Sequence, residues 1–209
     1  SYYIKDRSQN LSDLLADTIE NYGGKVLYET RAEKITVDGD AVNGVVLSNG
    51  KTLPARTVVS NGSALATFQD MLPREAVPPE YLKRLEGYRP SLSSFIVWLG
   101  LNRPLRGKIK GCGIHVGSGR GPEADYLSCI KGEIERGTFS VSIYDNVFEG
   151  YSRPGTSSLM LLFLCGYEPW RRFEADYRAG QKADYQKEKE RWADVLVRRA
   201  ESEVAPDLA

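Results

Sequence analysis

The side chains in this sequence with most capacity for metal or nucleophile chemistry are one histidine, His115, and three cysteines, Cys112, Cys129 and Cys165. A single imidazole rules out a multi-histidine centre, and the cysteines form neither a Cys-x-x-Cys pair nor a disulfide framework. Each cysteine therefore reads as an inert buried thiol, since nothing beside it argues for a stabilised thiolate. His115 reads as an ordinary strand histidine. Acyl transfer would call for a serine in a Gly-x-Ser-x-Gly elbow, and the sequence contains none. Cradling a pyrophosphate calls for Gly-x-Gly-x-x-Gly between a strand and a helix. Gly111-Cys112-Gly113 and Gly117-Ser118-Gly119 both fail at the third glycine, where Val116 and Pro122 stand. No catalytic acid, base, nucleophile or metal ligand is expected among these residues.

The elements that would position a site are more informative. Leu11, Leu14, Leu15, Ile19 and Tyr22 recur at helical spacing opposite Asp13, Asp17 and Glu20, with Ser8 placed to cap the helix and Gly23-Gly24 to stop it. Lys25 to Glu29 then reads as a strand, so that helix and strand together suggest one unit of a parallel α/β sheet. Ala32 to Val37, Ala41 to Ser48 and Lys51 to Leu53 follow, separated by Asp38-Gly39-Asp40 and Asn49-Gly50. This spacing predicts an antiparallel meander, with a type I′ turn at Asn49-Gly50. Thr57 to Ser60 is a β-branched run suited to a strand buried on both faces. From Ser63 the texture changes. Helical segments at Ala64 to Leu72 and Glu80 to Glu86 precede strands at Ser91 to Leu101, Ile114 to Val116, Thr138 to Tyr144 and Ser158 to Leu164, which suggest a second sheet. Residues 117 to 122 read as a surface loop and Gln181 to Val204 as a long helix.

Composition narrows the classes of function. Lys+Arg and Asp+Glu both number 28, so no basic excess attracts nucleic acid. The longest apolar run, Leu159 to Cys165, is too short to span a bilayer. A cytoplasmic protein is expected, with peripheral attachment to a membrane left open.

The first half of the chain, from Tyr2 to about Leu101, resembles the FAD-dependent phytoene desaturase family, which includes carotenoid isomerases and retinol saturases. The likeness lies in the order Ser8-Gln9-x-Leu11 through Leu15-Ala16 to Gly23-Gly24, then Ala32-x-x-Ile35, Gly44-Val45-x-Leu47-x-x-Gly50, and Ala55-x-x-Val58-Val59-Ser60-Asn61. The strand from Ser94 to Leu101, the Pro154-Gly155 turn and the final helix continue it more loosely. The resemblance implies a mixed α/β and α+β fold. Residues 1–61 would be the second half of a Rossmann-like FAD domain with its β-meander, and residues 62–209 a mixed-sheet substrate-binding domain with helices. It implies a backbone contact to the FAD adenine at Ala32 and packing of the Ser60-Asn61 turn close to the cofactor.

On that reading the chain is a fragment of a flavin-dependent oxidoreductase that desaturates, isomerises or saturates a long apolar polyene. Alone it would bind FAD poorly and be inactive, and it would pair with the remainder of its own polypeptide. Phe95, Val97 and Leu99, on one side of their strand, are the residues expected to line an apolar substrate cavity; two core faces of a covered sheet are the plainer alternative. Two other functions stay open: a non-catalytic module binding an apolar ligand or a membrane surface, and a flavoenzyme resembling amine or protoporphyrinogen oxidases.

Overall fold

The structure, a computed structural model, describes residues 4, 7–88 and 91–206. It contains two compact units, Ser1–Arg89 and Pro90–Ala209. The helical turns after Ser63 belong to the first of these units, alongside the residues of the expected FAD-domain half.

The first unit opens with α1 (Gln9–Asn21), in which Ser8 occupies the cap position without a capping side-chain hydrogen bond. Gly23, at φ +83°, takes the left-handed conformation that closes the last turn, and its N–H donates to the Glu20 carbonyl at 2.9 Å. α1 has no buried residue, and its stripe of Leu11, Leu14, Leu15, Ile19 and Tyr22 is exposed. β1 (Ala32–Asp38), β2 (Ala41–Leu47) and β3 (Thr52–Pro54) form the predicted antiparallel meander in the order β1-β2-β3. Ile35 and Leu47 are its buried apolar residues. The turn at Asn49-Gly50 differs from the expected type I′, which needs positive φ at both central residues. Only Gly50 has it, at +79°, while the Gly50 N–H closes on Leu47 and the Leu47 N–H donates to Lys51. The result is a three-residue hairpin loop with glycine at its left-handed position.

Two expected strands are not strands. Lys25 to Glu29 lies outside any sheet and turns at Glu29, whose φ is +52°. Thr57 to Ser60 likewise forms no ladder, and Val59 is 91% exposed instead of buried on both faces. A parallel strand exists only through its hydrogen-bonded neighbours, and the only sheet among the described residues of this unit is the antiparallel meander. A π-helical turn at Ala66–Met71, a 3-10 turn at Arg74–Ala76 and α2 (Pro79–Glu86) complete the unit, with Val77, Leu82 and Leu85 buried.

In the second unit, β4 (Ser93–Leu101), β5 (Gly113–Val116), β6 (Phe139–Ser142) and β7 (Ser157–Cys165) form an antiparallel sheet of order β4-β7-β6-β5. Between β5 and β6 lies α3 (Pro122–Lys131), and after β7 come the short α4 (Glu168–Arg171) and α5 (Glu174–Arg178), then α6 (Ala183–Glu203). α6 confirms the expected long helix. The last residues of the chain, 207–209, fall outside the described set.

The core of this unit follows from two periodicities. Alternate residues of β7, namely Leu159, Leu161 and Phe163, are fully buried, as are Phe139 and Val141 of β6. Trp192, Leu196 and Ala200, one turn apart on α6, cover that face. Arg199 ties the helix to the turn before β6. Its guanidinium donates to the carbonyls of Ile134 at 2.9 Å and Gly137 at 2.7 Å, and lies 4.6 Å from the centre of the Phe139 ring. In the β6–β7 connection the buried Asp145 carboxylate accepts hydrogen bonds from Ser152 N–H, Ser152 Oγ and Ser158 N–H, at 3.0, 2.9 and 2.8 Å. A buried charge must be paired in this way to persist.

Candidate functional site

The covered face of the second sheet implies an opposite one. Register fixes its members: Ser94 faces Leu164, Ile96 faces Leu162, Trp98 faces Met160 and Gly100 faces Ser158. Leu162 also pairs with Ser140 and Met160 with Ser142 across the next ladder. Since successive side chains alternate between faces, Ile96, Trp98, Met160, Leu162 and Leu164 share one apolar strip. It is open to a ligand: Trp98 is 59% exposed, Ile96 41% and Leu164 40%, with Met160 and Leu162 half-buried. Ser140, Ser142 and His115 border it. Ser140 Oγ and His115 Nδ1 share a 2.8 Å hydrogen bond, so the histidine is an exposed strand residue with a hydroxyl partner. Such a face can hold an apolar body by shape and burial, but it holds no acid–base pair.

Phe95, Val97 and Leu99, the residues expected to line the cavity, stand on the other side. All three pack against the core. The Phe95 ring stacks on Trp170 at 6.0 Å and meets Trp192 edge-on at 5.4 Å. α6 supplies its apolar stripe to this side of β4 and leaves the other open.

The residues expected at a cofactor are less gathered. Ala32 begins β1 and is exposed, paired with Leu47. Ser60 and Asn61 are exposed in a turn where Ser60 Oγ shares a 2.8 Å hydrogen bond with the buried Thr67 hydroxyl. Ser60 borders a pocket of about 250 Å³ whose walls include Ile35, Val42, Val58, Thr67 and Phe68, but Ala32 and Asn61 are not among its walls. The Ala32 backbone and the Ser60 turn are both exposed. They provide no cradle for a pyrophosphate.

Gly117 to Gly121, read as a loop, proves to join β5 to a helix that the sequence did not announce, α3. Its context is therefore strand, glycine-rich turn, helix, as in a phosphate site. Its electrostatics oppose that role. Pro122 removes the first N–H, Glu123 and Asp125 place carboxylates in the first turn, and Arg120 is turned onto Ser128 Oγ at 2.7 Å. The described residues accordingly do not fit a whole FAD.

Cys129 and Cys165 are buried, and burial pushes both thiols above their usual range; Cys112 is half-buried. Among the described residues no group of three or more His, Cys, Asp or Glu is placed to hold a metal ion. Nor is any helix among them long and apolar enough to cross a membrane. The sequence reading also missed an aromatic pocket formed by Tyr167, Trp170, Phe173, Tyr177 and Tyr185, with Glu174 and Arg178 in its walls. The spacing of the first four, each three or four residues after the last, was the available signal.

No protein-family model matches the chain. It is 30% identical over 100 residues to a lycopene-forming phytoene desaturase of Paracoccus sp., covering 48% of this chain and 20% of that protein. Against the chloroplastic prolycopene isomerase of Daucus carota it is 24% identical over 194 residues, 93% of this chain and 29% of the relative. A pyridine nucleotide-disulfide oxidoreductase domain-containing protein 2 of Rattus norvegicus shares 31% over 84 residues, 40% of this chain and 14% of that one. The chain thus spans between 14% and 29% of the length of these relatives. The crystal structure of an oxidoreductase from Methanosarcina mazei has the same fold over 82% of this chain and 36% of its own, with a TM-score of 0.56 and 18% identity. These similarities support the resemblance to FAD-dependent carotenoid oxidoreductase-like proteins that the residue pattern carries.

Proposed function

We propose that this chain is the central part of a flavin-dependent oxidoreductase acting on a long apolar polyene by desaturation, isomerisation or saturation. Residues 1–61 would support the adenine end of FAD, through the Ala32 backbone and the Ser60-Asn61 turn. The second sheet would hold the substrate. The observation that carries this reading is the open strip of Ile96, Trp98, Met160, Leu162 and Leu164, an elongated apolar surface bordered by His115 on a sheet whose reverse side is core. Such a surface suits a ligand recognised by length and burial, while the redox chemistry comes from the flavin. The names of the relatives favour a polyene over an amine or a porphyrinogen. The rest of the polypeptide would supply the pyrophosphate-binding loop, so the 209-residue chain alone is expected to bind FAD weakly and to be inactive.

The test is made on protein expressed from the complete reading frame. It should carry flavin, with an absorption band at about 450 nm. Trp98→Glu, which places a charge on the strip, should abolish polyene turnover while leaving flavin content unchanged. Colourless protein after reconstitution with FAD would defeat the flavin assignment, and unchanged turnover in the Trp98 variant would defeat the substrate surface.

A further inference from the structure

The aromatic pocket lies on the second unit, and it is independent of the sheet surface assigned to the substrate. Tyr167, Trp170, Phe173, Tyr177 and Tyr185 wall a volume of about 350 Å³, within the range of small-molecule sites. Its back wall packs on the core. Trp170 sits 4.6 Å from the ring of the fully buried Trp192, and Tyr185 meets Trp170 edge-on at 5.7 Å. Its mouth is open, for Tyr167 and Tyr177 are 49% and 43% exposed. Trp170 is already stacked on Phe95 at 6.0 Å and the Arg172 guanidinium lies 4.6 Å from the centre of the Phe173 ring, so the stacking area on offer is the exposed part of Tyr167 and Tyr177 at the mouth.

The charges around the pocket decide what kind of ligand would enter. Glu174, in the wall, is satisfied twice: Tyr167 donates to it at 2.8 Å and Arg178 pairs with it at 2.5 Å. Arg171 pairs with Glu168 and Arg172 with Glu188. Two cations beside these rings, Lys182 and Lys189, enter no ion pair among the described residues. Lys182 Nζ lies 4.5 Å from the centre of the Tyr177 ring, and Lys189 Nζ lies 5.5 Å from that of Tyr185. A cationic guest would be repelled by these ammonium groups, whereas an anionic group at the rim would be drawn to them.

We infer that this pocket binds a small planar aromatic molecule carrying one anionic group. Its rings stack on Tyr167 and Tyr177 at the mouth, beside Trp170, and its carboxylate, sulfonate or phosphate meets Lys182 and Lys189.

The 209-residue chain and a matched pair of probes test this. 1-Anilinonaphthalene-8-sulfonate and N-phenyl-1-naphthylamine share one ring body and differ in the sulfonate. The three tryptophans report separately in a proton–nitrogen correlation spectrum: Trp170 for this pocket, Trp98 for the open sheet face and the buried Trp192 for the fold. The sulfonate probe should shift the Trp170 indole resonance at lower concentration than the neutral one. The double variant Lys182→Gln, Lys189→Gln should weaken the sulfonate probe roughly fivefold, leave the neutral probe unaffected and keep the Trp192 resonance in place. Shifts confined to Trp98, equal affinity for both probes, or a double variant that binds the sulfonate unchanged would each overturn the inference.

Discussion

Phe95 and Trp98 lie on one strand, three residues apart, and the structure assigns them opposite fates. Phe95 packs against Trp170 and Trp192, while Trp98 is 59% exposed beside Met160. Replacing a buried phenylalanine by alanine costs about 3–5 kcal/mol, from lost transfer energy plus the cavity left behind. Phe95 is only half-buried, which lowers that figure, but it makes two aromatic contacts worth about 0.5–1.5 kcal/mol each. A loss of about 2–4 kcal/mol is expected for Phe95→Ala. Trp98→Ala removes one cross-strand pair worth about 0.2–1 kcal/mol and leaves no cavity, so its cost should stay below about 1 kcal/mol. Urea titration followed by tryptophan fluorescence suits the comparison, because Trp98, Trp170 and Trp192 all lie in the second unit and report on that unit alone. A midpoint shift at constant slope gives the difference directly. Should Trp98→Ala cost as much as Phe95→Ala, the sheet has no open face and the substrate surface proposed for it does not exist.

Arg199→Met should cost about 2–4 kcal/mol by the same titration, because the carbonyls of Ile134 and Gly137 lose charged donors. A cost under 1 kcal/mol would show that water replaces them freely. Gly166→Ala should be at least as damaging, although its φ is not in the left-handed region: a Cβ there would overlap the backbone carbonyl of Ile130, which cannot swing aside. Soluble, fully stable Gly166→Ala protein would contradict that close approach. Glu133 should titrate at about 2 in place of the usual 4.5, held down by hydrogen bonds from Arg136 and then Ser128. Its contribution to stability is therefore complete above pH 4.5 and is lost as pH falls towards 2. A carbon NMR titration of its carboxyl with a midpoint near 4.5 would remove that linkage. A thiol reagent should label Cys112 first, with Cys129 and Cys165 reacting only on unfolding, since burial both shields them and raises their thiols.

Much of this protein was legible locally. The stripe of Trp192, Leu196 and Ala200, the three strands of the meander and the alternation of Phe95 to Leu101 are written in the spacing of apolar residues. Glycines at Gly23 and Gly50 stop or turn the chain because only there does a left-handed conformation come without penalty. These features depend on residues within a few turns of one another, so sequence alone determined them. The order of motifs in the first half likewise carried the resemblance to carotenoid oxidoreductases. What it did not determine was every feature that rests on a distant partner. Lys25 to Glu29 and Thr57 to Ser60 have strand composition, but no neighbour among the described residues pairs with them. α3 follows a glycine-rich run, and its burial comes from Ser128 and Cys129, not from a long apolar stripe. The aromatic pocket needs α4 and α5 to return onto α6. The choice between the two faces of β4 needed α6, some ninety residues later in the chain, to cover one of them. An alternating strand is symmetric until something packs on it, and only the tertiary structure broke that symmetry.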